Sequence, residues 1–434
     1  MLVYTHKITN RIRYIFGVIF KDILNVSFEV TSDNEHFESY EGPKFSYTKQ
    51  PLGNELFFAS EGLLFERGIN HIDLVFIEYD HIPAFFPVYN KQSVMPFDPF
   101  AASFYMVSRY EEYLPYKKDE HGRFSAMESI AWKNGFLNKP VVNIWAAKIA
   151  GLLQLRFPDI EIKGHPYNFI PTIDIDAAWA YRQKGFFRMI GGYLGAASRF
   201  DFDEVSERIS VQTGRKKDPF DTYDFQFAIH KKYKLKPVYF ILFGEYGLND
   251  KNIPVRNRKF HRLIKSLADR ASVGIHPSYN SNFRNGKLKT EVERLSRVLH
   301  REITKSRQHF LVLQLPTTYR NLINLDITDD YSMGFAAAPG FRAGICSSYP
   351  FFDLDLDAIT PLRIHPFTYM EGTLKDYMNL TPEQALDTIK PLIAEVKAVN
   401  GTFIPIWHNE TLSDMKRWKG WQKVYEEMIK LAVP

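Results

Sequence analysis

The sequence predicts an α/β protein in which a mostly parallel sheet, barrel or doubly wound, is flanked by helices and preceded by a smaller mixed α/β domain. Three observations carry this. Beyond residue 166, short apolar runs alternate with amphipathic stretches of helical length, the pattern of successive β–α units. The texture changes near residue 165, dividing the 434 residues into a mixed α/β domain over 1–165 and a larger domain over 166–434. Ionisable residues end several of the apolar runs, where parallel α/β folds place their chemistry.

In the N-terminal part, Leu74–Glu78 reads as a strand, and Pro99–Leu114 and Pro140–Leu155 as helices. The first of these helices sets apolar Phe100, Phe104, Tyr105 and Val107 beside polar Ser108, Arg109, Glu111 and Glu112. Nothing there has assignable chemistry, and Arg109, Glu111 and Glu112 are expected to stitch the two domains together rather than to bind substrate. Downstream, strands are expected at Phe169–Asp176, Pro237–Gly244, Ser272–His276, Phe310–Leu315, Ala343–Cys346, Leu362–Tyr369 and Thr402–Trp407. Helices are expected at Asp221–Lys234, Arg258–Arg270, Leu288–Thr304, Pro382–Asn400 and Met415–Leu431. The fourth is clearly punctuated: Thr381 as N-cap, Pro382 at the first position, Gln384 completing a capping box and Gly401 beyond the end, with Pro391 set to kink it.

Composition excludes several classes. With 45% hydrophobic and 24% charged residues the chain is an ordinary globular one, not a disordered or low-complexity one. Net charge of +5, from 55 basic and 50 acidic residues without long runs of one sign, is too mild for a nucleic-acid binder. The single cysteine, Cys346, rules out a disulfide framework and a thiolate-rich zinc site, so any metal must be held by His, Asp, Glu or Asn. No run approaches the ~18 apolar residues of a membrane span. The best export-signal candidate, Tyr14–Phe20, is closed at once by Lys21 and Asp22. The expectation is a cytoplasmic protein, with room for attachment at the membrane periphery. Oligomeric state is not legible.

The strand ends carry the chemistry. Thr172-Ile173-Asp174-Ile175-Asp176 sends two carboxylates to one side, about 6.6–7 Å apart at Cα, where they repel unless a cation or an arginine intervenes. Gly274-Ile275-His276-Pro277-Ser278-Tyr279-Asn280 ends a β-branched run in a histidine. Ser306-Arg307-Gln308-His309 puts Arg307 and His309 on a common side, and Trp407-His408-Asn409-Glu410 offers an imidazole suited to general acid or base work. Arg342 and His365 are expected at the same mouth, and with Trp407 they form the expected substrate contacts. One or two carboxylates with neutral imidazoles suit a borderline divalent metal, zinc first, with a coordination position left open for water.

The order of these motifs resembles the NodB-homology polysaccharide deacetylases (carbohydrate esterase family 4), and more closely a branch with an extra N-terminal domain. In that branch, segments similar to Phe97-Asp98-Pro99-Phe100, Ser108-Arg109-Tyr110-Glu111-Glu112 and Gly340-Phe341-Arg342-Ala343-Gly344 recur. The resemblance implies a distorted parallel (β/α) barrel of about seven strands. It implies Asp174 as catalytic base, Asp176 and His276 as metal ligands, Arg307 as the tether of the base and His408 as general acid. The chain departs from the family pattern in three places: Ile175 is inserted between the aspartates, Asn280 stands where the family has its second ligand histidine, and the prolines that usually follow the tethering arginine are absent after Arg307. His309 is expected to supply the replacement nitrogen. The implied reaction is zinc-assisted removal of an N-acetyl group, ahead of O-acetyl, from a sugar or glycan precursor. Two other readings stay open: a metal-independent glycoside hydrolase using Asp174 and Asp176, and a deacetylase-like protein that only binds glycan or a partner.

Overall fold

The computed structural model describes residues 1–284 and 286–434. In the N-terminal part, β1 (Leu2–Tyr4), β2 (Glu29–Thr31), β3 (Lys44–Thr48) and β4 (Leu56–Ala59) form a parallel sheet in the order β2-β1-β3-β4. Strands β5 (Phe76–Tyr79) and β6 (Ile82–Phe85) make an antiparallel pair. Aromatic packing holds this part together. Phe16 and Phe20 from the N-terminal helical segment and Phe100 from helix Pro99–Val107 meet Phe45 and Phe58 of the sheet at centroid distances of 5.3 to 6.2 Å. That helix is apolar all round, and every one of its residues is buried, as such helices require. Asp98 caps it by accepting from the Phe100 and Ala101 amides. It stops at Val107 rather than Leu114 because Arg109 takes a left-handed conformation (φ 54°) and starts a 3₁₀ turn.

The remaining strands are β7 (Asn168–Phe169), β8 (Thr172–Ile175), β9 (Val238–Leu242), β10 (Ser272–His276), β11 (Lys305–Ser306), β12 (Asp329–Asp330), β13 (Tyr349–Asp353), β14 (Ala358–Ile364), β15 (Tyr369–Met370), β16 (Thr402–Phe403) and β17 (Pro405–His408). Nine of them form one sheet in the order β13-β14-β12-β11-β10-β9-β8-β17-β15, parallel throughout except for the β13–β14 hairpin. Strong curvature follows from a simple distance. Phe240 on β9 and Tyr331 just beyond β12 belong to strands three steps apart, about 14 Å in a flat sheet. Their rings lie 5.2 Å apart, so the sheet curls inward.

A closed seven-stranded barrel is not what the ladder shows. Between β12 and β17 the ring is spanned by the irregular stretch Ile364–Met370. There His365 and Phe367 donate to the Asp330 and Met333 carbonyls, and Thr368 donates to Ile404. Pro366 brings no N–H, which breaks the run expected over Leu362–Tyr369 into the end of β14 and the short β15. Two other expected strands are absent. Phe310–Leu315 opens in a 3₁₀ turn, with Phe310 and Leu311 at φ 58° and 54°, and its apolar side chains pack inward without pairing. Ala343–Cys346 is a turn seated on the helix Val141–Arg156, whose Val142 amide donates to the Gly344 carbonyl. The last helix begins at Trp421, after Gly420 at φ 88°, rather than at Met415. Helix Pro382–Ala398 carries the expected capping box, and helices Phe186–Ser198, Phe202–Gln212 and Thr317–Ile323 were not anticipated.

Two apolar clusters support the site. The larger is continuous from the N-terminal sheet to the outer face of the large sheet and its helices. The smaller lies on the inner face and comprises Val238, Phe240, Leu311, Tyr331, Ala336, Phe367, Ile404 and Ile406. Gly274 makes room for it, because a Cβ there would stand 2.8 Å from the Phe240 ring.

Candidate metal centre and active site

Strand register assembles the site. On β8, Asp174 pairs with His408 of β17 on one side and with Phe240 of β9 on the other, while His276 ends β10 beside Leu242. Arg307 and His309 follow β11 directly. Four strand ends thus converge on a cleft of about 250 Å³ lined by Asp174, Asp176, His276, His309, Glu371 and His408 among others.

Arg307 anchors the floor. It is fully buried, and its guanidinium sits 4.6 Å from the Phe240 ring and 5.9 Å from both Tyr331 and Phe367. Its Nη1 donates to Asp174 Oδ1 (3.0 Å) and Thr172 Oγ1 (2.7 Å), and Nε donates to the Tyr331 carbonyl (3.0 Å). A planar, caged guanidinium of this kind fixes the carboxylate it pairs with more rigidly than an ammonium does.

Three imidazoles surround Asp176, and each has its Nδ1 engaged elsewhere. His276 Nδ1 lies 2.6 Å from the Arg307 carbonyl, His309 Nδ1 3.0 Å from Asp250 Oδ1, and His408 Nδ1 2.7 Å from Glu371 Oε1. A carbonyl or carboxylate acceptor at Nδ1 selects the tautomer whose Nε2 lone pair is free, the arrangement that metal-binding histidines adopt. The Nε2 atoms stand 3.3, 3.4 and 3.9 Å from the Asp176 oxygens, in the same order of residues.

A divalent ion fits this donor set. The ligand atoms of Asp176, His276 and His309 all lie within 4.8 Å of one another. Ligands at about 2.0–2.2 Å from a tetrahedral zinc are about 3.3–3.6 Å apart, matching the His276 and His309 spacings to Asp176. Asp176 Oδ1 is buried yet has no hydrogen-bond partner among the described residues. Asn280 is not part of the set: its amide donates to Asp250 Oδ2 at 3.2 Å.

The electrostatics demand positive charge at this point. Burial alone would lower the His309 imidazole, but the flanking Asp176 and Asp250 carboxylates push it up to about 9. Burial also opposes protonation of His408, and Glu371, followed by Asp176 and Asp174, drives it well above the ordinary imidazole value. Asp176, which burial would raise, is held well below the usual carboxylate range by the three histidines.

Three expected substrate contacts lie elsewhere. Trp407 is fully buried against Trp421 and Tyr425 and donates its N–H to the Tyr369 hydroxyl; one position from His408 on a strand, it must face the opposite side. Arg342 is buried in a bidentate pair with Glu112 (2.6 and 2.8 Å), and Arg109 donates to Glu111, Glu112 and the Arg342 carbonyl. His365 stacks on Tyr331 at 4.4 Å and bonds Asp329 at 2.7 Å. The cleft wall is instead supplied by Tyr377, Arg417, Trp418, Phe310 and, from the N-terminal part, the buried Arg123.

Asp250 and Glu371 were missed. Glu371 directly follows β15, so the rule that strand ends carry chemistry pointed to it. Asp250 sits alone in the loop after β9 and gave no comparable signal.

Residues 1–158 match a family of unknown function, DUF7033. No characterised protein matches over the chain. Among solved structures, a polysaccharide deacetylase from Mycobacterium smegmatis is similar at 12% identity and a TM-score of 0.41, over 62% of this chain and 86% of that one. One from Bacillus cereus is similar at 10% identity and a TM-score of 0.29, over 62% and 86%. A CE4 family pseudoenzyme from Bacillus anthracis is similar at 12% identity and a TM-score of 0.27, over 62% and 63%. Likenesses this loose assign nothing to the present chain.

Proposed function

We propose that this chain is a metal-dependent carbohydrate deacetylase that hydrolyses N-acetyl groups, in preference to O-acetyl groups, on a sugar or glycan. The observation that carries the reading is the set of histidines whose Nδ1 atoms are tied back and whose Nε2 atoms turn on Asp176, with Asp174–Arg307 on one flank and His408–Glu371 on the other. The order of the sequence motifs supports the same reading.

Asp176, His276 and His309 are the residues that would hold a zinc ion, which supplies Lewis acidity toward water and an acyl oxygen when bound. Asp174, oriented by Arg307, takes the proton of the attacking water. His408 carries the proton that the departing amine needs, and Glu371 fixes its ring and favours the imidazolium. Tyr377, half exposed at the cleft wall, offers an aromatic face for a sugar ring, and Arg123 and Arg417 offer donors. The glycoside hydrolase reading loses ground here. It would use Asp174 as its acid, but that carboxylate accepts from the buried Arg307 guanidinium at 3.0 Å, a partner suited to a base rather than to a proton donor.

The test is metal analysis joined to deacetylation of N-acetylglucosamine oligomers. About one zinc per chain, activity silenced by a chelator and restored by zinc, and an inactive Asp174→Asn that keeps its metal are expected; His276→Ala should lose the metal. Turnover indifferent to chelation, or near-normal turnover in Asp174→Asn, refutes the mechanism. Metal binding without any deacetylation points to the binding-only reading.

A further inference from the structure

Among the described residues, nothing packs against the outer face of the helical hairpin between β8 and β9. Helix Phe186–Ser198 buries only Ala196 of its 13 residues and packs on helix Phe202–Gln212. Phe186, Phe187, Ile190, Leu194, Phe200 and Phe202 stand 38 to 87% exposed. Phe186, Ile190 and Leu194 recur every four residues, so they form one stripe along the helix. Scattered exposed apolar residues need no explanation, but six large ones on a single two-helix element do.

The surroundings of this face are cationic. Lys184 and Arg188 border the stripe near its start, whereas Arg199 beyond its end is paired with Glu204 of the second helix (2.8 Å). Arg188 stacks on Tyr246 (4.3 Å) and bonds the Asn252 carbonyl (2.9 Å), and Asn257 holds Gln183 at the root of the hairpin (3.1 Å). On either side of Asn257, Arg256 and Arg258 open a groove of about 690 Å³ walled by His261, Lys265, Arg294, Arg297 and His300. The carboxylate that reaches this set is Glu245, 3.3 Å from Arg294. Asp201 and Asp203 lie at the hairpin tip, where Asp201 caps the second helix. The stripe therefore lies flat rather than plunging tip first.

We propose that this face docks on an anionic lipid bilayer, with the Phe186–Leu194 stripe in the interface and the Arg256/Arg258/Lys265/Arg297 groove against headgroup phosphates. Apolar insertion beside a polybasic patch is the two-part signal that peripheral attachment needs. A protein surface or a second copy of this chain would have to bring its own block of negative charge, and with a net charge of +5 a second copy offers none in excess. The hairpin also borders the catalytic cleft: its Glu207 pairs with Lys416 (2.6 Å), next to the cleft residues Arg417 and Trp418.

Flotation of the full-length protein with vesicles tests this independently of any activity. Vesicles of 30% phosphatidylglycerol in phosphatidylcholine should carry the protein, and pure phosphatidylcholine should carry at least tenfold less. Raising NaCl from 0.1 to 0.5 M, which shortens the Debye length from about 10 to about 4 Å, should weaken binding. The variant F186S/F187S/L194S should bind at least tenfold more weakly with an unchanged melting temperature. R256Q/R258Q/K265Q/R297Q should also fall more than tenfold, since each basic residue near the surface contributes about fivefold. Tryptophan emission from Phe187→Trp should shift to the blue on anionic vesicles. The proposal is overturned if the protein stays in solution at millimolar anionic lipid, or if F186S/F187S/L194S floats as well as the parent. It is equally overturned if sedimentation velocity shows a dimer that this variant abolishes while vesicles are ignored, for then a second copy covers the stripe.

Discussion

Replacing Asp250 with alanine should weaken zinc binding although Asp250 is not a ligand. Its Oδ1 accepts from His309 Nδ1 (3.0 Å) and from the Tyr279 amide (2.8 Å), and its Oδ2 takes the Asn280 side chain. Removing it frees the His309 ring to rotate and lets the proton move to Nε2, the atom that faces Asp176 at 3.4 Å. Loss of such an outer partner costs metal sites about 10–100-fold in affinity, or about 1.4–2.7 kcal/mol. The orphaned amides of Tyr279 and Asn280 lower stability separately, so affinity must be read well below the melting transition. Competition against a chromogenic zinc chelator at pH 7.5 measures the effect, with His309→Ala setting the lower limit and Asp250→Asn, which keeps one acceptor, falling between. Zinc affinity in Asp250→Ala within twofold of the parent would refute the role given to His309, because Asp250 is the partner that fixes the Nδ1 side of its ring.

Trp407→Phe should lower stability by about 1–3 kcal/mol in urea unfolding and leave kcat/KM within about threefold, since the indole is packed on Trp421 and Tyr425 and bonds Tyr369. A tenfold rise in KM at unchanged stability would return it to the substrate. Glu112→Ala should cost about 3–5 kcal/mol, because it leaves the buried Arg342 guanidinium without its carboxylate and Arg109 with Glu111 alone; a loss under 1 kcal/mol would mean that water reaches them. His230, buried against Tyr425 (2.6 Å), is pushed down by burial to about 4. The unfolded chain therefore takes up this proton near pH 6.5 while the folded one resists it. Stability should fall as pH drops from 6.5 toward 4, by about 2 kcal/mol at pH 5, and His230→Gln should flatten that slope.

What the sequence made legible follows from the physics of each signal. The runs at Val238–Leu242 and Ser272–His276 are apolar because both faces of those strands are buried, so they could be read directly. Strands β11 and β12 are two residues each and have no periodicity to read. The run Phe310–Leu315 deceived because burial, rather than pairing, selects its apolar residues. Trp407 deceived for a different reason. Proximity to His408 suggested a shared mouth, whereas the period of two along a strand places neighbours on opposite faces. For Arg342, the charge that explains it, Glu112, lies 230 residues away in sequence, beyond any local pattern.

On the proposed reading, Asn280 supports the candidate metal site indirectly. In the resembling family a histidine at this position would point into the site; here the amide bonds Asp250, and Asp250 bonds His309. Asn280 is thus joined to His309, the candidate third ligand, through one intermediate, Asp250. The same relay explains why His309 can serve from a 3₁₀ turn rather than from a strand: its backbone amide is tied to the Pro277 carbonyl, and its ring is tied to Asp250. A histidine restored at position 280 would therefore not simply add a ligand. Asn280→His removes the amide donor from Asp250 and competes with His309 for the same position, so zinc affinity should fall or stay level rather than rise in the chelator competition. A gain of tenfold or more would show that the Asp250–His309 bracket is dispensable.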